Sequence, residues 1–274
     1  MTRMHVSHRG LNTLVALLVV VLPLAAAQKE SPSEPQLNQP GKDVQWVPTP
    51  PALAEKMLDL AGLTPKDRFV DLGSGDGVLV IAAARRGARA TGIEYDRGLV
   101  ELSKRRAREA NVSERTHFIR GDIFKTDFSD ATVVSTFLLP SMNLQLRPTF
   151  LAMKPGTRIV ANTFAIGDWE PDETATIEPC ERWCKAMLWI VPARVEGVWV
   201  TPKGDLTLTQ HFQQLSGRLG RDPIDHGRLR GEDISFTVGG ATYRGRVNTD
   251  RMHVSAMVND KVVEWTARWV RSRG

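Results

Sequence analysis

The sequence predicts a doubly wound α/β domain followed by a small antiparallel β domain, and three observations carry that prediction. Between residues 68 and 164, short apolar, β-branched runs alternate with amphipathic helical patterns, as in a parallel sheet covered on both faces. A glycine-rich turn in Phe69-Val70-Asp71-Leu72-Gly73-Ser74-Gly75-Asp76-Gly77 joins one such strand directly to a helix. After about Trp189 the alternation stops and hairpin signals replace it.

In chain order, Pro48-Thr49-Pro50-Pro51 opens a helical pattern over Ala52–Ala61, with Leu53, Met57, Leu58 and Leu60 on its apolar face. Strands are expected at 68–72, 90–94, 116–119, 131–138 and 157–164, and helices at 78–86, 97–110 and 144–153. The tail carries short β-rich runs at 206–212, 234–238, 242–247, 253–258 and 262–269. Gly239-Gly240, Asn248-Thr249-Asp250 and Asn259-Asp260 punctuate them, which predicts an antiparallel meander or small barrel. The organisation read this way is an export signal at 1–27, a linker at 28–47, the α/β domain at 48–191 and the β-rich domain at 192–274.

The first residues carry Arg3 and Arg9 without an acid, then an almost wholly apolar run from Leu11 to Ala27 ending in Ala25-Ala26-Ala27. That is the pattern of a secretory signal, and the run is short for a spanning helix, which needs about 20 apolar residues. The expected location is therefore the periplasm or the outer face of the inner membrane; left uncleaved, the segment would keep the protein near the membrane. The formal net charge of +5 falls by two to +3 without Arg3 and Arg9, and the basic run Lys104, Arg105, Arg106, Arg108 has no aromatic residues between its charges. It reads as a solvated helix face rather than a nucleic-acid surface. The two cysteines, Cys180 and Cys184, can pair in an oxidising compartment, although on one regular helix a bond between them would require distortion. No metal site is expected, because the histidines are scattered and the Cys pair has no second pair beside it. His211, His226 and His253 read as structural or exposed.

The chemistry lies in the glycine turn. Its glycines admit a sharp bend and a close backbone approach to a ligand, and Gly77 lets the next helix start close to the sheet. The spacing is G-x-G-x-G, not the G-x-G-x-x-G of dinucleotide sites, and Asp71 precedes it. A carboxylate there contributes nothing to pyrophosphate recognition and favours a cationic amino-acid ligand. Glu94, in Gly92-Ile93-Glu94-Tyr95-Asp96, ends the second strand within reach of ribose hydroxyls, and Asp122, in Gly121-Asp122-Ile123, follows the third, where it can accept from an adenine amino group while Ile123 covers the ring.

On these residues the chain resembles the class I S-adenosylmethionine-dependent methyltransferases over residues 46 to about 172. The resemblance implies a Rossmann-like sheet of seven strands with S-adenosyl-L-methionine as cofactor. Asp71, Gly73, Ser74, Gly75 and Gly77 would lie about its methionine part, Glu94 and Tyr95 at the ribose and Asp122 with Ile123 at adenine. Trp46 and Thr49, in the strip before the first helix, are open between closing over it and serving only as a packing staple. A narrower likeness rests on Trp46-Val47-Pro48-Thr49-Pro50, on Phe137-Leu138-Leu139-Pro140 with Asn143 and Leu146-Arg147-Pro148, and on Gly167-Asp168-Trp169. These motifs resemble the subgroup of the mitochondrial lysine methyltransferases of the adenine nucleotide translocase and the ATP synthase c subunit, with their exported bacterial relatives. Where that subgroup often carries tyrosine, this chain has Phe137.

In-line methyl transfer needs alignment and exclusion of water more than a strong acid or base. A lysine acceptor must lose its proton, which a desolvated pocket edged by carbonyls encourages. Leu139, Pro140 and Asn143 are the expected substrate-facing residues. Ser141 is open between substrate contact and helix cap, Trp169 between pocket wall and core. The expected function is an exported methyltransferase acting on a protein, with lysine in view, or on a small molecule, and not on nucleic acid. The competing classes are a non-catalytic binding or scaffold module of the same fold, and a nucleotide-sugar or NAD-dependent enzyme, for which the turn has the wrong spacing. Exposed edge strands in the tail would suit substrate recruitment.

Overall fold

The computed structural model describes residues 1–2 and 46–270; the expected export signal beyond its first two residues, and the linker as far as Gln45, lie outside them. From Trp46 onward the described residues belong to one compact unit.

The helix α1 (Pro51–Leu60) starts on a proline, whose missing N–H costs nothing in a first turn, and buries Leu53, Ala54, Met57 and Leu58. There follow β1 (Arg68–Leu72), α2 (Val78–Arg85), β2 (Arg89–Glu94), α3 (Arg97–Glu109), β3 (Thr116–Arg120), β4 (Val133–Thr136), α4 (Pro140–Ala152), β5 (Arg158–Asn162), β6 (Glu173–Thr176) and β7 (Lys185–Ile190). Asp96 caps α3, its Oδ1 accepting from the Leu99 amide at 2.8 Å. By contrast α2 begins at Gly77 with no side-chain cap, so its first amides remain open to other partners.

These strands form one sheet in the order β3-β2-β1-β4-β5-β7-β6. The first five are parallel, whereas β7 runs antiparallel to both β5 and β6. The sheet is therefore mixed rather than parallel throughout. The chain order reverses between β1 and β4, and ligands of open α/β sheets bind at such a crevice, beyond the carboxyl ends of the strands. Leu53, Met57, Leu58 and Val80 pack one face; Leu146, Phe150, Trp169 and Trp189 pack the other.

The second sheet comprises β8 (Gly197–Thr201), β9 (Gly204–His211), β10 (Gln214–Leu219), β11 (Asp222–Pro223), β12 (Asp225–Arg230), β13 (Asp233–Val238), β14 (Ala241–Asn248), β15 (Arg251–Val258) and β16 (Lys261–Val270). Its order is β11-β10-β12-β13-β14-β15-β16-β8-β9, and a further antiparallel pairing of β9 with β10 closes the ring. The tail is thus a small closed barrel with β11 as an appendage. Trp199, Leu206, Leu229, Phe236, Met252 and Ala267 fill it. Closure removes the open edges on which recruitment by strand addition depends, so the expectation of docking through edge strands loses its basis.

Where barrel and α/β sheet meet, the contacts are specific. Trp169 is buried, which makes it core rather than pocket wall, and its indole Nε1 donates to Gln213 Oε1 at 2.9 Å. Gln213 Nε2 in turn donates to the Glu170 carbonyl at 2.7 Å, and Trp189 Nε1 to the Trp169 carbonyl at 2.7 Å. Phe212, in the β9–β10 turn, stacks on Trp169 with centroids 5.7 Å apart, and the Arg147 guanidinium lies 5.3 Å over the Phe212 ring. Arg228 reaches the Asp172 carboxylate at 2.7 Å. Cys180 and Cys184 form a disulfide in the β6–β7 connection, with Cα atoms 5.8 Å apart. They lie on a loop, so the distortion a helix would have required does not arise.

Candidate cofactor and acceptor site

A cavity of about 830 Å³ opens at the carboxyl ends of β1, β2 and β3. Thr49, Asp71, Gly73, Ser74, Gly75, Glu94, Tyr95, Asp122 and Ile123 all line it, as does Trp46. The register explains the convergence. Asp71 lies opposite Gly92 on one side and Ser135 on the other, and Glu94 lies opposite Arg120, so successive strand ends place their acids round one crevice.

Asp71 is buried, and its Oδ1 accepts from the Ser135 hydroxyl at 2.6 Å. Burial is the largest influence on this carboxyl and raises its pKa to about 7; the Ser135 bond pulls it down, while the negative charges of Glu94 and Asp76 add to the rise. Glu94 accepts from the Gly75 amide at 2.9 Å and the Asp96 amide at 2.8 Å, tying the glycine turn to the end of β2. The Asp122 carboxylate accepts from the Phe124 amide at 2.9 Å and pairs with Lys125 at 3.2 Å. The Phe124 bond is the chief reason its pKa lies below the ordinary value. Arg106 pairs with Asp76 beneath the turn.

Gly75 has φ +52°, and a Cβ there would come within 2.5 Å of Trp46 Nε1, so the strip before α1 closes directly on the turn. In Gly75→Ala, backbone strain of about 1 kcal/mol adds to displacement of the Trp46 ring. We expect roughly tenfold weaker cofactor binding by calorimetry, with an unchanged circular dichroism spectrum. Cofactor affinity equal to wild type would show that the Trp46 closure contributes nothing.

Four expected site residues lie elsewhere. Gly77 forms the cap of α2 beneath the turn, where a Cβ would meet Phe118 and Ser103. Leu139 and Pro140 do not line the cavity. Pro140 starts α4 four residues before the expected Leu144, and the Leu139 carbonyl accepts the amides of Met142 and Asn143 at 3.0 and 3.1 Å, which commits it to the helix end. Asn143 is fully buried rather than substrate-facing, and its Nδ2 donates to the Phe164 carbonyl at 3.1 Å. Ser141 is exposed, and the cap of α4 falls on Leu139 instead. Phe137, Leu138 and Met142, from the end of β4 and the start of α4, are among the cavity's apolar lining residues.

A seven-stranded sheet in this order, with a glycine turn and acids at three successive strand ends, defines an S-adenosylmethionine-dependent methyltransferase. The family model of the ANTKMT methyltransferase domain matches residues 71–173. The protein-lysine N-methyltransferase of Saccharolobus islandicus is 36% identical over 138 residues, 49% of this chain and 86% of that protein. The Mus musculus lysine N-methyltransferase of the ATP synthase c subunit is 35% identical over 131 residues, 47% of this chain and 53% of that protein. Among solved structures, an RNA methyltransferase from Salinibacter ruber in complex with S-adenosyl-L-homocysteine shares 44% identity at a TM-score of 0.51. The match covers 54% of this chain and 96% of that one. The chain belongs to this family of S-adenosylmethionine-dependent methyltransferases.

The residues present suit that cofactor. Ser74 Oγ is buried in the cavity wall and has no hydrogen-bond partner among the described residues, the Gly75 cradle is closed by Trp46, and the carboxylates of Asp71 and Glu94 match an amino-acid cation and ribose hydroxyls.

Proposed function

We propose that the protein is an exported protein-lysine N-methyltransferase. The observation that carries the reading is the uncharged acceptor side of the cavity, Phe137, Leu138 and Met142, in a chain whose relatives from Saccharolobus islandicus and Mus musculus are lysine N-methyltransferases. Bound S-adenosylmethionine supplies a methyl group activated by a sulfonium. The remaining work falls to the chain. Asp71 would hold the cationic end of the cofactor, Glu94 the ribose, and Asp122 with Ile123 the adenine, with Phe137 lining the same cavity. Deeper in the cavity, Leu138 and Met142 exclude water and lower the pKa of an entering ammonium, which favours the neutral amine that attacks. No side chain need take the proton in the transition state; water at the mouth receives it beforehand. Phe137 has no hydroxyl to position the amine, which leaves that task to shape and ring faces. Export is supported by the run from Leu11 to Ala27 and by the Cys180–Cys184 disulfide.

The test is transfer of a labelled methyl group from S-adenosylmethionine into an envelope extract of cells lacking the protein. Label that is removed by protease and recovered as methyl-lysine after hydrolysis is the expected result. Label removed by ribonuclease instead would place this chain with the acceptor class of the Salinibacter ruber protein and overturn the lysine reading. Sequencing of the mature protein is expected to begin at Gln28.

A further inference from the structure

Beyond the cavity, three rings from three separate segments meet. Phe137 follows β4, Phe164 follows β5, and Trp183 lies in the β6–β7 connection. Phe137 and Phe164 are nearly parallel, with centroids 6.1 Å apart, and the Trp183 ring stands across both at 5.5 Å. All three are half-buried, so the cluster presents ring surface outward, and Phe137 also lines the cavity. The rings therefore form a continuous aromatic wall from the acceptor side of the cavity to the surface.

The backbone beneath this wall is held in costly conformations. Trp183 has φ +58° and Thr163, which precedes Phe164, has φ +60°; a bulky and a β-branched residue are both rare in that region. Such conformations persist only where surrounding bonds over-determine them, and they cluster at functional sites. The bonds are present. Asn143 Nδ2 fixes the Phe164 carbonyl at 3.1 Å, the Thr163 amide donates to the Lys185 carbonyl at 2.8 Å, and the Cys180–Cys184 bridge closes a short loop with Trp183 inside it. Both cysteines are half-buried, so the bridge is open to a small thiol.

We infer that Trp183, with Phe137 and Phe164, is the recognition wall for the cationic amine of the acceptor, and that the Cys180–Cys184 disulfide is the positioning device that holds Trp183 there. The inference rests on the lysine reading and extends it: the acceptor site is complete only when the bridge is formed. Ring faces attract a cation through their quadrupole, and most strongly where water is partly excluded. The same faces would hold an ammonium at each stage of methylation, including the trimethylated product. Reduction by a dithiol converts the bridge to two thiols and frees the loop, while the cofactor residues on β1, β2 and β3 keep their places.

The experiment uses the mature full-length protein saturated with S-adenosylhomocysteine and two probe peptides. One contains trimethyl-lysine; the other carries its neutral isostere, in which a tert-butyl group replaces the trimethylammonium. Calorimetric titration of the oxidised wild type is expected to favour the cationic peptide about tenfold. Trp183→Ala, the pair Cys180→Ser with Cys184→Ser, and dithiothreitol treatment of the wild type are each expected to abolish that preference, and dithiothreitol is expected to add nothing in Trp183→Ala. Affinity for S-adenosylhomocysteine should be unchanged in all three, which separates loss of the wall from loss of the fold. A preference that survives reduction and Trp183→Ala overturns the inference and leaves the lysine reading standing. Binding of neither peptide to the oxidised wild type overturns both. A short RNA that binds in their place and is lost in Trp183→Ala would reassign the wall to stacked bases.

Discussion

A chain ended at Val191, lacking the whole barrel, is expected not to fold to a soluble, cooperative domain. The cut uncovers Trp169, which is 1% exposed in the intact chain. It removes the stacked Phe212, and it deletes Gln213, which satisfies both the Trp169 indole N–H and the Glu170 carbonyl. Exposing the Trp169 side chain costs about 3 kcal/mol at about 25 cal/mol per Å², and each orphaned polar group adds about 1–3 kcal/mol if it stays buried. Against a total stability of about 5–15 kcal/mol, that loss is decisive. The measurement is a urea titration followed by circular dichroism. A single-residue version keeps the chain whole: Gln213→Ala should lower the unfolding free energy by about 1–3 kcal/mol, because the buried Trp169 indole N–H loses its acceptor and the part-buried Glu170 carbonyl its donor. A soluble product ending at Val191, with a sharp transition and cofactor affinity equal to full length, would instead make the barrel an independent attachment. Loss of folding would make the barrel a buttress for the segment that carries Trp169 and Glu170.

How much of this was legible follows from where each signal is written along the chain. The strands β1, β2, β4 and β5 are largely buried and read as short apolar runs, while the edge strand β3 buries only Phe118; their acids and glycines follow within a few residues, so the cofactor half of the site is a local pattern. β6 is a polar edge strand of sequence Glu-Thr-Ala-Thr and gives no alternation to detect. Several barrel strands are hidden for a different reason. In β10 Gly217 sits where a Cβ would strike the Thr207 carbonyl of β9, so closure of the ring demands a residue that weakens the strand signal. Ring closure is itself a long-range pairing that no local pattern encodes. The acceptor half was misplaced because Pro140 starts α4 early and turns Asn143 inward. Phe137, Phe164 and Trp183 come together only through the sheet order, and no spacing in the sequence connects them. The cysteine pair was visible, but its use as a clasp on Trp183 was not.

Affinity for S-adenosylmethionine is expected to rise about tenfold between pH 6 and pH 8 in the wild type, and Asp71 is the reason. In the ligand-free protein burial raises this carboxyl to about 7, so at pH 6 roughly one molecule in ten has the ionised form that suits a cationic ligand, and at pH 8 roughly nine in ten. Binding therefore releases a proton at neutral pH, and the heat of titration should vary with the ionisation enthalpy of the buffer. The stability sign follows from the same shift. A carboxyl raised above its unfolded value contributes stability that is fully present below about pH 4 and is lost as pH rises through about 7. The ligand-free protein should therefore melt lower at pH 8 than at pH 6, while the stabilisation added by saturating cofactor should be larger at pH 8. Asp71→Asn separates these effects. It can keep a hydrogen bond to Ser135 and never ionises, so its ligand-free form should be more stable than wild type at pH 8. Its cofactor affinity should be about a hundredfold weaker there, the loss of one buried charge pair, and flat from pH 6 to pH 8. Ligand-free melting temperatures that do not change with pH, together with a flat wild-type affinity, would mean that Asp71 stays ionised in its buried position. In that case an Asp71→Asn affinity equal to wild type would assign the residue to the turn, and a weakened one would keep it on the cation.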